Sequence, residues 1–145
     1  EKYKADGIAL LFATNPLRQT FHIDGAINLF IKKKVDSIIS VNSIPANHTP
    51  YWVLVRQKNK KVSFYNNVGL KNNPYVRSQE FPQTLYARND IIYVLKPANL
   101  FQKPANLYGN ISDLYETSSL FEADINTPDE WQEAEIKFKK LKTTR

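Results

Sequence analysis

The sequence predicts an α/β fold, because continuous apolar runs that suit buried strands alternate with a segment of helical periodicity. Residues 7–13, GIALLFA, predict a strand that is buried on both faces. In residues 22–34, apolar side chains recur at helical spacing: Ile23, Ile27, Phe30 and Ile31. Residues 36–41, DSIISV, predict a second strand. A helix between two buried strands usually makes a right-handed parallel crossover, so we expect a βαβ unit here.

The centre of the sequence predicts further β structure and a loop. Residues 50–66, PYWVLVRQKNKKVSFYN, contain two β-rich pieces around a basic turn and predict a hairpin. Residues 66–82 are rich in Asn, Lys and Pro, which favours a loop. Residues 90–96, DIIYVLK, predict another strand.

A helix is predicted at the end of the chain. Thr127 is the expected N-cap, Pro128 the first helical residue, and Glu130 lies in capping-box register. The spacing predicts a core face made of four residues: Trp131, Ala134, Phe138 and Leu141.

Composition limits the classes of protein to consider. With 145 residues, 42% of them hydrophobic, we expect one α/β domain over residues 1–145. The sequence has neither an apolar run of about 18 residues nor a secretory signal, so we expect a soluble cytoplasmic protein without a membrane partner. The absence of cysteine and the isolated positions of His22 and His48 argue against a zinc site.

The formal net charge of +6 raises nucleic acid as a partner. The basic residues fall in separate clusters, however, and the clusters at residues 32–34 and 137–142 end predicted helices, where cations favour the helix dipole. We therefore expect no nucleic-acid partner. A basic nucleic-acid-binding domain remains as an alternative.

Asp124 draws attention because it ends a predicted strand, residues 119–125, just before the last helix. In open α/β sheets the ligand crevice lies beyond the carboxyl ends of the strands. A carboxylate at that point is well placed to hold Mg²⁺ against substrate phosphates. The alternative is a solvated loop aspartate.

Several segments occur together in the order of one enzyme family. LLFATNPLR is followed by HIDGAINLFIKKKVDSIISV, then by SQEFPQTLYARNDIIYV and DINTPDEWQEAE. In this order the sequence resembles the acylneuraminate cytidylyltransferases, or CMP-sialic acid synthetases, over most of its length. The resemblance implies a Rossmann-like nucleotide-diphospho-sugar transferase fold with a mixed, mostly parallel sheet. It also implies a homodimeric enzyme that transfers CMP from CTP to a nonulosonic, sialic-acid-like sugar acid and releases pyrophosphate.

Site residues follow from the same resemblance. Asp124 matches the first metal-binding aspartate and is the implied catalytic residue, while Asn126 stands at the second metal position; the implied cofactor is Mg²⁺. The implied substrate-binding residues match other family positions: Thr14, Arg18, Arg77, Gln79, Arg88, Asn89, Tyr93, Leu107 and Tyr108. For Tyr93 and Tyr108 the alternative is core packing.

The sequence departs from the family pattern at several positions. Phe12 replaces a sugar-contacting glutamine, Ser78 an arginine and Asp90 a glycine. No segment matches the family's Gly-, Lys- and Arg-containing nucleotide loop, so we expect this chain to be the C-terminal portion of such an enzyme and incomplete for activity by itself. A non-catalytic relative that binds ligands or dimerises is the alternative. We expect residues 42–66 to act as a dimerisation arm, because Tyr51, Trp52 and other aromatic residues cluster there.

Overall fold

In a computed structural model the chain is described over residues 4–58, 61–65 and 69–143. The chain divides into two units, the first formed by Glu1–Asn42 and Arg88–Arg145 and the second by Ser43–Ala87. The described strands are β1 (Ile8–Leu10), β2 (Ser37–Ser43), β3 (Leu54–Arg56), β4 (Val62–Phe64), β5 (Tyr86–Leu95) and β6 (Ser112–Glu116). The helices are α1 (Thr20–Lys33) and α2 (Pro128–Thr143).

Four strands form a mixed sheet in the order β1-β5-β2-β6. β2 and β6 are parallel, with Ser37 opposite Ser112, whereas β1 and β5 are antiparallel. Contacts between β2 and β5 run in opposite order along the two strands, from Asp36 with Lys96 to Asn42 with Asn89, as in an antiparallel pair. The mixed α/β class with parallel pairing is therefore confirmed.

The first predicted strand is not buried on both faces. β1 covers only Ile8–Leu10 and lies at an edge of the described sheet, with side chains that are half-buried or exposed. β5, which is distant in sequence, lies between β1 and β2. An apolar run indicates burial but does not reveal which strand is inserted beside it.

Helix α1 packs on one face of the sheet, as its periodicity predicted. Ala26 is fully buried, and Ile23, Ile27 and Phe30 pack against the same core cluster. Ile31 does not belong to this face, because it is 66% exposed. At the start of the helix, the main-chain N–H of Gln19 donates a hydrogen bond to Nδ1 of the buried His22. Burial lowers the pKa of His22, and the charge of Arg18 lowers it further.

The core lies on both faces of the sheet. One cluster contains six residues: Ala26, Val35, Ile38, Ile91, Ile92 and Val94. The other contains four: Ile39, Val41, Tyr93 and Leu95. Neighbouring residues of β2 therefore face opposite clusters, which follows from the alternation of side chains along a strand.

The strand predicted over residues 119–125 is wrong. Ser119–Phe121 is a turn of 3₁₀ helix, in which the Leu120 N–H donates to the Ser118 hydroxyl, and the strand of this region is β6. The Phe121 ring packs on Phe21 and His22 with centroid distances of 5.5 and 4.7 Å. Aromatic packing against α1 therefore accounts for an apolar pattern that resembled a strand.

Helix α2 begins as predicted. Glu130 Oε2 accepts hydrogen bonds from the N–H groups of Asn126 and Thr127, and the Glu130 N–H donates to the Thr127 hydroxyl. The bonds that the Glu130 carboxylate accepts from Asn126 and Thr127 lower its pKa. The predicted core face is only partly right, because Ala134 is buried whereas Trp131 and Phe138 are 57% and 45% exposed.

The second unit contains a hairpin of β3 and β4 and an aromatic cluster. Leu54 lies opposite Phe64, while residues 59 and 60 of the predicted turn are outside the described residues. Tyr51 and Trp52 pack against Phe81 with centroid distances of 4.9 and 5.0 Å. The expected arm, residues 42–66, also ends outside the described residues, and its role in dimerisation stays a prediction.

No helix in the described ranges is long and apolar enough to cross a membrane.

Polar contacts of Asp36 link the end of β5 to the start of β2. The Asp36 carboxylate accepts a hydrogen bond from Lys96 Nζ at 2.8 Å and from the N–H groups of Asn110 and Ile111 at 2.9 and 3.1 Å. Gly109 has φ 72°, and a Cβ there would lie 2.4 Å from Asp36 Cβ. The close approach of this turn therefore requires glycine.

These contacts predict a pH-dependent contribution to stability. They lower the pKa of Asp36 from 3.8 to about 2, so its stabilisation is complete above 3.8 and is lost as the pH falls through about 2. Asp36→Asn should lower the melting temperature at neutral pH, and the difference from wild type should shrink as the pH falls from 3.8 towards 2. Asp24→Asn, the same charge change at an exposed site of α1, is the control. A constant difference down to pH 2, measured by circular dichroism, would contradict this account.

Candidate functional site

The loop after β1 is held by main-chain hydrogen bonds from Arg18. Its Nε donates to the carbonyl of Ile91, and its Nη2 donates to the carbonyls of Phe12 and Asp90. Burial lowers the pKa of the guanidinium. Arg18, predicted to bind substrate, thus connects this loop to β5.

Asn15 fixes the same loop. Its side chain is buried, donates to the carbonyl of Phe121 at 3.2 Å and accepts from the N–H of Leu17 at 3.0 Å. The neighbouring Thr14 carbonyl accepts a hydrogen bond of 3.1 Å from the N–H of Ile125. The segment that carries Asp124 is therefore anchored to the loop after β1.

Asp124 and Asn126 lie in irregular chain between the 3₁₀ turn and α2, and both are exposed. Their side chains flank Ile125, whose N–H is held by Thr14. Asp124 is thus close to the expected position before the last helix, although no strand ends there.

A group of charged and aromatic residues includes three residues of β5 and two from other segments. We refer to Arg88, Asp90, Tyr93, Tyr108 and Asp124 as the β5 cluster. The Arg88 guanidinium is exposed and donates to the Tyr108 hydroxyl at 2.8 Å, which raises the pKa of Arg88. Burial raises the pKa of Tyr93, and the charges of Arg88 and Asp90 also act on that phenol.

The two carboxylates of the β5 cluster interact. Burial raises the pKa of Asp90, the charge of Asp124 raises it further, and the charge of Arg88 opposes both effects. Sequence reasoning assigned no role to Asp90. Its replacement of a family glycine was the only signal in the sequence.

The apolar side of this region is formed by Tyr93, Phe12 and Leu107. Tyr93 is 2% exposed and packs edge-on against Phe12 at a centroid distance of 5.3 Å. Leu107 is half-buried and packs against the core cluster that contains Tyr93. The Tyr93 ring therefore packs in the core, which was the alternative to substrate binding. Tyr108, by contrast, is partly exposed.

Asn89 makes hydrogen bonds within the sheet. Its amide is buried and donates to Asn42 Oδ1 at 2.7 Å and to Thr117 Oγ1 at 2.9 Å, while its carbonyl oxygen Oδ1 accepts from the N–H of Ile91. These bonds link β5 to the ends of β2 and β6. Asn89, predicted as a substrate residue, is thus used for internal hydrogen bonding.

Arg77 and Gln79 lie in the second unit and are described apart from the β5 cluster. Both are exposed at the 3₁₀ turn Ser78–Glu80, where Arg77 Nε lies 3.8 Å from Glu80 Oε1.

Two carboxylates of the β5 cluster and the neighbouring amide of Asn126 are ligand types that suit a hard divalent cation. The charge of Asp124 raises the pKa of Asp90, and Asn126 provides an amide oxygen on the same exposed segment as Asp124. Mg²⁺ is usually bound by one or two carboxylates together with substrate phosphates. Among the described residues no group of three or more His, Cys, Asp or Glu side chains could hold a metal.

Comparison with known proteins gives no assignment, because no protein-family model and no curated protein matches the sequence.

The contacts of Arg18 predict that it stabilises the fold. Arg18→Met should lower the free energy of unfolding by about 1–3 kcal/mol, because part-buried carbonyl groups lose their donors. Arg56→Met, at an exposed site of β3, should change it by less than about 0.5 kcal/mol. Urea unfolding of both variants provides the measurement. Wild-type stability of Arg18→Met would show that the guanidinium is free for another role.

Proposed function

We propose that this chain belongs to a cytidylyltransferase that transfers CMP from CTP to a nonulosonic sugar acid and releases pyrophosphate. The proposal includes the Rossmann-like nucleotide-diphospho-sugar transferase fold and the homodimer that the resemblance implies. Its main support is the β5 cluster, in which the Arg88 guanidinium contacts the Tyr108 hydroxyl and the charges of Arg88 and Asp124 act on Asp90 within one unit. The mixed sheet is compatible with this fold.

In this proposal the reaction joins the anomeric hydroxyl oxygen of the sugar acid to the α-phosphorus of CTP. The bond between that phosphorus and the bridging oxygen to the β-phosphate breaks, pyrophosphate leaves with the electron pair, and the hydroxyl proton passes to a base. Mg²⁺ held by Asp124, Asp90 and Asn126 would supply charge for the phosphates.

The chain's own residues would then bind and orient the sugar acid. The exposed guanidinium of Arg88, positioned by the Tyr108 hydroxyl, is available for the substrate carboxylate. The half-buried Leu107, which precedes Tyr108, provides an apolar side chain there, while the Tyr93 ring belongs to the core. The charge of Arg88 lowers the pKa of Asp90. Binding of a substrate carboxylate to Arg88 would therefore affect the charges of Asp90 and Asp124, and those charges would affect substrate binding.

A non-catalytic relative is the second candidate. It is favoured by the use of Arg18 and Asn89 for internal hydrogen bonds and by the uncharged Asn126 at the second metal position. Such a protein would bind a sugar acid without transferring CMP.

Pyrophosphate release separates the two candidates. The assay uses the full-length protein, because the proposal includes a nucleotide loop before Glu1. Release should require CTP, Mg²⁺ and a nonulosonic acid together, in a screen of four nucleotides against a panel of acids. Absence of turnover with every acid would favour the non-catalytic relative.

Asp124→Asn is the variant that tests the site. Activity should fall by about 10²–10³, the usual effect of losing one oriented electrostatic contact to the transition state. Stability should change by less than about 0.5 kcal/mol, because Glu130 and Thr127 cap α2 without Asp124. Asp129→Asn is the matched control, and Asn126→Asp should tighten Mg²⁺ binding. Wild-type turnover and Mg²⁺ dependence of Asp124→Asn would refute the role of this carboxylate.

A further inference from the structure

The positive charge of the chain is concentrated in the second unit, Ser43–Ala87. This unit contains six lysine and arginine residues but a single carboxylate, Glu80, so its formal net charge is +5. The same count gives +1 for the first unit, and the whole chain has +6. Four of the six cations lie within residues 56–61: Arg56, Lys58, Lys60 and Lys61.

The helix dipole does not account for these four cations. The basic clusters at residues 32–34 and 137–142 lie in the first unit, at the ends of α1 and α2. The cluster at residues 56–61 lies instead between the strands of the hairpin. Glu80 accepts hydrogen bonds from the N–H groups of Val76 and Arg77 and lies 3.8 Å from Arg77 Nε. The single carboxylate of this unit is therefore engaged at the 3₁₀ turn Ser78–Glu80.

The hairpin forms a two-stranded ribbon with cations on both faces. β3 and β4 make a sheet of their own, and the N–H of Gln57 donates to the carbonyl of Lys61 at 2.8 Å, just beyond the paired strands. Side chains alternate along a strand, so Arg56 shares a face with its cross-strand partner Val62. Gln57 and Lys61 belong to the opposite face, and the 3.1 Å bond from Gln57 Nε2 to Ser63 Oγ lies on that face.

Both faces of this ribbon are exposed. On the face of Arg56, Leu54 and Val62 are 53% and 40% exposed. On the face of Gln57, Tyr65 is 64% exposed, and its N–H donates to the carbonyl of Val53 at 2.8 Å. A flat partner would cover only one of these faces. Contact with both faces requires a recess into which the ribbon can enter.

We propose that the hairpin of β3 and β4 binds duplex DNA by entering its major groove. This groove is about 12 Å wide and admits a two-stranded ribbon, whose strands lie about 4.8 Å apart. A phosphate backbone borders the groove on each side, which matches a ribbon with cations on both faces. Contacts to phosphates carry no sequence information, so the binding is independent of base sequence.

The hairpin is less suited to an anionic membrane. Residues 57–61, QKNKK, contain no apolar side chain at the turn, and the exposed Leu54 and Tyr65 lie further back along the ribbon. A membrane that met the turn would receive no apolar group for insertion.

Binding of DNA goes beyond the proposed transfer of CMP and does not depend on it, because the β5 cluster lies in the first unit. The hairpin is part of the expected dimerisation arm, residues 42–66. That expectation depends on Tyr51 and Trp52, however, which precede the paired strands. Changes to the hairpin cations should therefore leave the mass of the assembly unchanged.

Titration of a fluorescent DNA duplex of mixed sequence with the chain, at a series of salt concentrations, tests the proposal. Each phosphate contact contributes about 0.9 to the slope of log K against log salt concentration, so affinity should fall steeply with salt. The double variant Arg56→Gln/Lys58→Gln loses two contacts and should lower that slope by about 1.8. Both residues are exposed, so the variant should keep the wild-type melting temperature.

Lys32→Gln/Lys139→Gln is the matched control. It removes the same two charges at exposed sites of α1 and α2 in the first unit, and it should keep the wild-type slope. An equal fall of the slope in the control would show that binding follows net charge alone, which would overturn the proposal. A lower mass of the hairpin variant in sedimentation would assign its cations to a subunit contact and would also overturn it.

Two further probes distinguish the groove from charge alone. An RNA duplex has a deep, narrow major groove, so it should bind more weakly than the DNA duplex. Vesicles of phosphatidylserine and phosphatidylcholine should also bind more weakly. Equal or tighter binding of either probe would overturn the proposal, as would the absence of DNA binding at low salt.

Discussion

The hydrogen bonds of Arg18 are the constraint on which the candidate site depends. By binding the carbonyl groups of Phe12, Asp90 and Ile91, this guanidinium fixes the loop after β1 against β5. The loop presents the Thr14 carbonyl to the N–H of Ile125. The chain that carries Asp124 is therefore held where its charge acts on Asp90, although the two residues are far apart in sequence.

The parts of the fold that obey local rules could be predicted from sequence. Helix α1 and the capped start of α2 follow from apolar spacing and from the Thr127–Glu130 capping box. The prediction of a strand over residues 119–125 was wrong, because apolar residues that pack against α1 resemble a strand in the sequence. The edge position of β1 was also missed, since the insertion of β5 beside it depends on contacts distant in sequence.

The candidate site was only partly predictable for the same reason. Asp124 was singled out by its position before the last helix as well as by resemblance. Arg88 and Tyr108 were singled out by resemblance, and the structure places them within hydrogen-bonding distance. The sequence shows an arginine in this loop, but it does not show whether the guanidinium binds substrate or main-chain carbonyl groups. The contacts of Arg18 could therefore not be predicted. Periodicity likewise shows which residues of α2 share a face, but it does not show whether that face is covered by the same chain.

The central claim is that Asp90 and Asp124 form one cation site, and paramagnetic broadening tests it most directly. Mn²⁺, a hard cation with oxygen ligands, would be titrated into the chain while amide signals are recorded by NMR. The account predicts early, selective broadening at Asp90, Asp124 and Asn126, and loss of that broadening in Asp124→Asn. Equal broadening at exposed carboxylates such as Asp24 and Asp129, or selective broadening that Asp124→Asn leaves unchanged, would contradict it.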